Sequence, residues 1–154
     1  MRIERIELRL LRLPLVRFFE TSFGRVYDRT FLLARIEGEG HEGWGEGVAE
    51  ANPYYSSETT ETAWHVIAEF IAPLVIGVPF SHPGEVFAAL ARIRGNYMAK
   101  AAVEMAVMDA ELRGVGLPLG RYLGATKDRR RPSARSVVNA SSSVPAKAGN
   151  TVPS

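Results

Sequence analysis

The sequence predicts an α+β fold, a three-stranded antiparallel β-meander followed by a helical bundle, with a disordered C-terminal tail. Three observations predict it. Apolar and charged residues alternate at Ile6, Leu8 and Leu10, and two further strand-like runs follow before residue 50. From Trp64 onward the apolar residues recur instead at helical spacing. After Asp128 the chain contains no acidic and no aromatic residue, a composition that cannot bury enough surface to fold. We therefore place one folded domain at residues 1–128 and a disordered or out-of-frame tail at 129–154.

The bulk numbers exclude several classes. The chain has 154 residues, 46% of them hydrophobic, enough for one domain with a real core. It holds no apolar run of about 18 residues that could span a membrane. Charged residues interrupt its first ten positions, so no secretory leader pattern opens it. The absence of cysteine removes disulfides and thiolate metal sites, which favours the cytoplasm. A net charge of +2 gives no general reason to bind nucleic acid; the one basic patch is "KDRRRP" with the tail behind it, and we assign no nucleic-acid partner.

The first strand, "IERIELRLLRL", shifts parity at Leu10 and Leu11, which suggests a bulge or an increasingly buried end, and Pro14 is expected to stop it. A solvated turn should follow, yet "RFFETSFG" crowds Phe18, Phe19 and Phe23 into it. Phe18 is expected to tuck into the core of the meander. The run "RTFLLARI", Arg29 to Ile36, is apolar on both parities and fits a central strand covered on both faces; "EGEG" then turns the chain. In "HEGWGEGVAE" Gly43, Gly45 and Gly47 leave one strand face bare. Glycine weakens a strand by about 0.5–1 kcal/mol relative to alanine, so three in a row on one face imply that another layer approaches the backbone closely. "GWGEG" is no phosphate loop, since it lacks the downstream Lys and Ser/Thr.

Ser57 is expected to cap a helix that begins near Glu58, buries Trp64, Ile67, Ile71 and Leu74, and breaks at Pro73. Glu61, His65 and Glu69 share its opposite face; a solvated charged face explains that spacing without a metal ligand set. Pro83 should open a second helix, capped by His82 or Ser81 and running to about Arg94. The strongest helical signal is "NYMAKAAVEMAVMDAELRG". There Met98, Ala101, Met105, Met108 and Leu112 form one stripe, and Ala99, Ala102, Ala106 and Ala110 a second beside it, which predicts burial on two sides. Gly114 or Gly116 should end it, and "LPLGRYLG" should form one more short turn closed by Gly124.

The catalytic inventory is thin. The lysines are Lys100, Lys127 and Lys147, and no His is paired with a Ser in a nucleophile motif. Glu46 and Glu50 stand about 13 Å apart on an extended strand, too far for one acid–base site, and read as structural or rim residues.

Taken together, "PLVRFFETSFG", "GWGEGVAEANPYYSSET" and "NYMAKAAVEMAVMDAELRGVGLPLGRYLG" resemble the amino-terminal capping domain of the mandelate racemase and muconate lactonizing enzyme branch of the enolase superfamily. Within it the resemblance runs to o-succinylbenzoate synthase and N-acylamino acid racemase, and covers residues 1 to about 128. It implies a cap that works with a modified (β/α)8 barrel. In such enzymes a divalent metal such as Mg2+, held by barrel carboxylates, stabilises an enediolate while barrel lysines move the proton α to a substrate carboxylate. No catalytic or metal-binding residue carries over to this chain. The resemblance assigns substrate contact to Phe19, Thr21, Ser22 and Phe23 in one loop and to Tyr54 and Tyr55 in another. It further implies a small carboxylate substrate, a homo-oligomer, and a place in menaquinone synthesis if the parent is the synthase. The chain is expected to be an amino-terminal fragment, inactive without its barrel. The alternative is a free-standing interaction module that pairs with a separately encoded barrel or another protein.

Overall fold

The computed structural model describes residues 1–22 and 24–126. Phe23 and the whole of the expected tail, 129–154, lie outside the described residues, as does the "KDRRRP" patch.

Three antiparallel strands lie in the order β1-β2-β3: β1 (Arg5–Thr21), β2 (Gly24–Gly38) and β3 (His41–Gly47). The α+β class and the meander are as the sequence predicts. Pro14, however, does not end β1, which continues for seven more residues to Thr21. Neither a bulge at Leu10–Leu11 nor an increasingly buried end is found, because pairing is continuous from Arg5↔Glu37 to Pro14↔Asp28 and the strand grows more exposed toward its far end. The register instead slips between Pro14 and Phe19, so the proline, which cannot donate to a ladder, sits at the edge of an irregularity rather than at a strand end. The stretch expected to be a solvated turn is thus the end of a long β-hairpin. β3 pairs with β2 only from Leu32 to Gly38, so beyond Leu32 the first two strands project as a two-stranded arm.

The β2–β3 turn falls where "EGEG" predicts. Glu39 and Gly40 take positive φ (53° and 78°), and the strained Glu39 is held from both ends. Its carboxylate accepts from the Arg2 N–H at 2.9 Å and its own N–H donates to Glu4 at 3.2 Å.

The first helix starts two residues later than expected. Thr59, not Ser57, is the N-cap, in a reciprocal box with Thr62, and α1 spans Thr60–Val66. Pro73 does not break it. The backbone widens into a π segment, Ile67–Ile71, where Ala72 N–H reaches the Ile67 carbonyl, and continues as α2 (Ala72–Val75) with the proline in its first turn. Widening by one residue removes the clash a proline ring would make in a regular helix. Pro83 precedes α3 (Gly84–Ala89), which ends five residues short of Arg94 in a series of turns.

α4 (Tyr97–Gly114) is the longest helix. It ends in a Schellman motif: Gly116 has φ +66°, its N–H bonds the Arg113 carbonyl at 3.1 Å, and Leu117 N–H bonds the Leu112 carbonyl at 2.9 Å. One short helix, α5 (Leu119–Tyr122), follows and closes at Gly124.

The glycine face of β3 is where α4 lies. A Cβ on Gly45 would stand 1.9 Å from the Ala102 carbonyl oxygen, and one on Gly43 2.1 Å from that of Ala106. The alanine stripe and the glycine stripe are therefore the two sides of one backbone-to-backbone contact. Gly47 differs: its nearest neighbours would be Leu32 side-chain carbons at 3.2 and 3.4 Å, with the Leu32 carbonyl oxygen at 3.6 Å. The methionine stripe is not a second buried face: Met105 is exposed and Met98 and Met108 are half-buried. Seating the alanines on β3 turns Val103 and Val107 into the core beside Ile67 and Ile71, and the methionines fall at its margin. Lys100 is buried there too, its ammonium donating to the Ile93 carbonyl beneath the rings of Phe87 and Tyr97.

Candidate functional site

The projecting arm carries the first group of expected site residues. Its tip is pinned by the Thr21↔Gly24 pair and by the Thr21 hydroxyl, which donates to the Gly24 carbonyl at 3.4 Å. Two ion pairs brace its length, Arg12–Asp28 at 2.6 Å and Arg25–Glu20 at 2.8 Å. Asp28 is held below its ordinary pKa by the hydrogen bond from Arg12.

The slip after Pro14 decides which way the aromatic rings face. Phe19 pairs with Val26 and so shares the face of Asp28 and Thr30, the side on which the helices lie. Phe18 takes the other face. It is not in the core of the meander, as expected from the sequence, but 44% exposed, against Tyr27 at 6.0 Å and under the Arg25 guanidinium at 4.4 Å. The core ends near Leu32, so an arm this far out has no interior in which to bury a ring.

Facing Phe19 is the connection from β3 to α1. Its base is closed by a bridge between Glu50 and Thr59, with Thr60 N–H bonding the Glu50 carbonyl at 2.9 Å, so residues 51–58 form a compact excursion. Its far end is anchored to α4. Glu58, nearly buried, accepts from Met98 N–H at 3.0 Å and from Ala99 N–H at 3.2 Å. Asn96, the N-cap of α4, makes no side-chain cap bond, so Glu58 supplies the missing acceptor from a distant part of the chain.

Between arm and excursion lies a cleft of about 310 Å³, walled by Leu15, Phe19 and Val26, by the stretch Asp28–Thr30, and by Glu50, Ala51 and Asn52. Among the described residues, Phe19 is the one predicted site residue on its wall. Thr21 and Ser22 are exposed at the tip of the arm, Tyr54 and Tyr55 are 76% and 79% exposed on the excursion, and Phe23 lies outside the described residues. Leu15, Val26 and Asn52 were missed by sequence reasoning, since a strand expected to end at Pro14 gives Leu15 no face. Glu50 stands on the cleft and Glu46 on the opposite face of the sheet, so they form no pair.

Among the described residues no group of three or more His, Asp or Glu side chains could hold a metal ion, and the exposed Glu61, His65 and Glu69 form no such group. The metal that the resemblance implies for a full-length enzyme therefore has no fitting donor set here. The arrangement places the Phe19 ring on the wall of an open, largely apolar cleft, with Tyr54 and Tyr55 exposed on the excursion that forms its other side.

Residues 5–124 match the family model described as mandelate racemase / muconate lactonizing enzyme, N-terminal domain. Among curated proteins, the chain is 48% identical over 127 residues to an N-succinylamino acid racemase of Thermus thermophilus, covering 82% of this chain and 34% of that one. It is 44% identical over 126 residues to an o-succinylbenzoate synthase of Geobacillus kaustophilus, covering 81% and 34%. Among solved structures, an enolase superfamily member from Listeria innocua matches with a TM-score of 0.78 at 36% identity, over 82% of this chain and 34% of that one. The muconate lactonizing enzyme from Pseudomonas fluorescens, complexed with muconolactone, matches with a TM-score of 0.77 at 32% identity, over 82% and 35%. The chain thus spans about a third of the length of the relatives it matches. With its meander, its glycine-seated helix and its projecting arm all within the matched residues, the chain belongs to the mandelate racemase / muconate lactonizing enzyme family as that family's N-terminal domain.

Proposed function

We propose that this chain is the substrate cap of an o-succinylbenzoate synthase or N-acylamino acid racemase type of enzyme, acting with a (β/α)8 barrel that performs metal-assisted proton abstraction α to a carboxylate. A divalent ion such as Mg2+ on that barrel would stabilise the developing enediolate. The part played by this chain is closure. Phe19, Thr21 and Ser22 on the arm, Phe23 next to them in sequence, and Tyr54 and Tyr55 on the excursion contact the apolar side of a small carboxylate substrate and exclude water from it. If the reaction is the synthase's, the product belongs to menaquinone synthesis, a cytoplasmic setting consistent with a sequence free of cysteine. No helix among the described residues is long and apolar enough to cross a membrane.

The observation that carries this reading is Phe19: a ring 62% exposed on the wall of a cleft whose opposite wall is the excursion bearing the two tyrosines. Its test is a fusion of residues 1–126 to the barrel of a related synthase or racemase. The fusion should turn over substrate with added Mg2+ and the present chain alone should not. Phe19→Ala in the fusion should raise KM about tenfold, the order expected for losing about half of a phenylalanine's burial. Turnover by the chain alone, or a Phe19→Ala fusion with unchanged KM, would defeat the reading.

A further inference from the structure

The two walls of the cleft are held very differently. The arm is a paired hairpin, braced by its ladder and by two ion pairs. The excursion opposite is held by far less. Among the described residues, the Ser56 hydroxyl accepts from the Glu58 N–H at 3.2 Å, and no hydrogen bond or ion pair joins residues 51–57 to the chain outside the excursion. All seven are exposed except Ser56, which is half-buried. A segment with so few contacts opens locally at little cost unless its ends are fixed.

Two tethers fix them. The Glu50–Thr59 bridge closes the base. The Glu58 carboxylate crosses to the first turn of α4, forty residues on, where one oxygen takes the N–H groups of both Met98 and Ala99, at 3.0 and 3.2 Å. The point of attachment is itself rigid. Ahead of α4 the chain turns through Gly95 and Asn96, at φ of 60° and 52°. The buried Lys100 ammonium ties the helix back across that turn by donating to the Ile93 carbonyl under the rings of Phe87 and Tyr97.

We propose, resting on the reading of this chain as a substrate cap, that Glu58 is a positioning residue: by hanging the excursion from α4 it sets the far wall of the cleft and so decides how large a substrate side chain the cap accepts. Its carboxylate is spent on α4 and is absent from the cleft wall. It acts through Glu50, Ala51 and Asn52, which form that wall, and through Tyr54 and Tyr55 beyond them. A long apolar side chain needs the wall held at a fixed distance from Phe19, whereas a methyl group does not reach across. Loss of the tether therefore penalises large substrates selectively. A general loss of stability reduces the amount of active enzyme and treats large and small substrates alike.

Limited proteolysis and kinetics test it together, with thermal melts to show that each variant folds. In the present chain, well below its melting temperature, Glu58→Ala should speed chymotrypsin cleavage after Tyr54 and Tyr55 about tenfold and leave cleavage after Tyr122 of α5 unchanged. Glu58→Asp, one methylene short of the α4 amides, should act like alanine, and Glu58→Gln, which keeps an accepting oxygen, should stay within about threefold of wild type. In a fusion of residues 1–126 to the barrel of an N-succinylamino acid racemase, Glu58→Ala should raise KM for N-succinylphenylalanine about fivefold, and that for N-succinylalanine less than about twofold, with kcat moving less than KM. Glu58→Gln should restore the ratio of the two. Unchanged cleavage after Tyr54 and Tyr55 would overturn the tether, whatever the fusion does. Faster cleavage with equal effects on both substrates would overturn the positioning role and leave the cap reading standing. A wild-type fusion without turnover would defeat the cap reading and the positioning role with it.

Discussion

Replacing Gly45 by alanine tests the contact on which the domain is built. The added Cβ would lie 1.9 Å from the Ala102 carbonyl oxygen and 2.9 Å from both the Ala102 carbonyl carbon and the Ala106 nitrogen. All three are backbone atoms of α4, so no side chain can rotate away. Real Cβ contacts essentially never fall under 3.0 Å, so α4 must retreat by about 1.1 Å, or β3 must leave the sheet by as much. Overpacking a tight core costs about 1–3 kcal/mol, and a site with backbone on both sides belongs at the upper end, about 3 kcal/mol. With a urea slope of about 2–3 kcal/mol/M, the unfolding midpoint should fall by about 1–1.5 M. Gly43→Ala, whose Cβ would meet Ala106 O at 2.1 Å and Ala110 N at 2.2 Å, should behave alike. Gly47→Ala is the control. Its nearest contacts are Leu32 side-chain carbons at 3.2 and 3.4 Å, which can give, and alanine is favoured over glycine in a strand by about 0.5–1 kcal/mol, so its midpoint should hardly move. A Gly45→Ala midpoint equal to that of the wild type, or a Gly47→Ala loss as large as Gly45→Ala, would refute the close approach.

Two further outcomes follow from the electrostatics. Glu58→Ala removes the acceptor of the Met98 and Ala99 N–H groups and should cost about 1–3 kcal/mol, seen in urea unfolding and as faster hydrogen exchange at those two amides, with Glu58→Gln intermediate. On the outer face, Glu7, Glu37 and Glu42 are each held below the ordinary carboxylate pKa, chiefly by hydrogen bonds from Arg9, Arg5 and Arg35 respectively. Because the folded values are depressed, their contribution is fully present above the unfolded value of 4.5 and is lost as pH falls through the folded values. The melting temperature should therefore decline from about pH 5 downward, and less steeply at high salt, since these groups are only partly sheltered from solvent. A melting temperature flat to pH 3 would contradict the ladder.

Several features were readable from residue pattern because their causes are local. The glycine face of β3 and the alanine stripe of α4 each declared a close approach, and the structure pairs them. The end of α4 was expected at Gly114 or Gly116 and that of α5 at Gly124, and the structure puts Gly116 and Gly124 at the positive φ values that only a residue without Cβ adopts freely. Pattern failed where a distant contact decides. Pro14 reads as a strand end, but a register slip accommodates it. Pro73 reads as a helix break, but a π segment absorbs it. Glu58 reads as a first-turn acid of its own helix, while it serves the N-terminus of another forty residues away. Of the candidate site, the aromatic excess in "RFFETSFG" was visible, but which ring faces the cleft was not, because it depends on the slip that swaps the faces between Pro14 and Phe19.

By itself the sequence determined a three-stranded meander followed by helices and the meeting of the glycine face of β3 with the alanine stripe of α4, since side-chain size and backbone freedom act within a few residues. Tertiary structure alone decided that the hairpin becomes an arm, that Phe19 and the 51–58 excursion share a cleft, and that the methionines lie at a margin. The reason is that burial depends on what lies opposite a residue in space, and the decisive neighbours here, Ala51 across the cleft from Phe19 and Ala102 against Gly45, are 32 and 57 positions away along the chain.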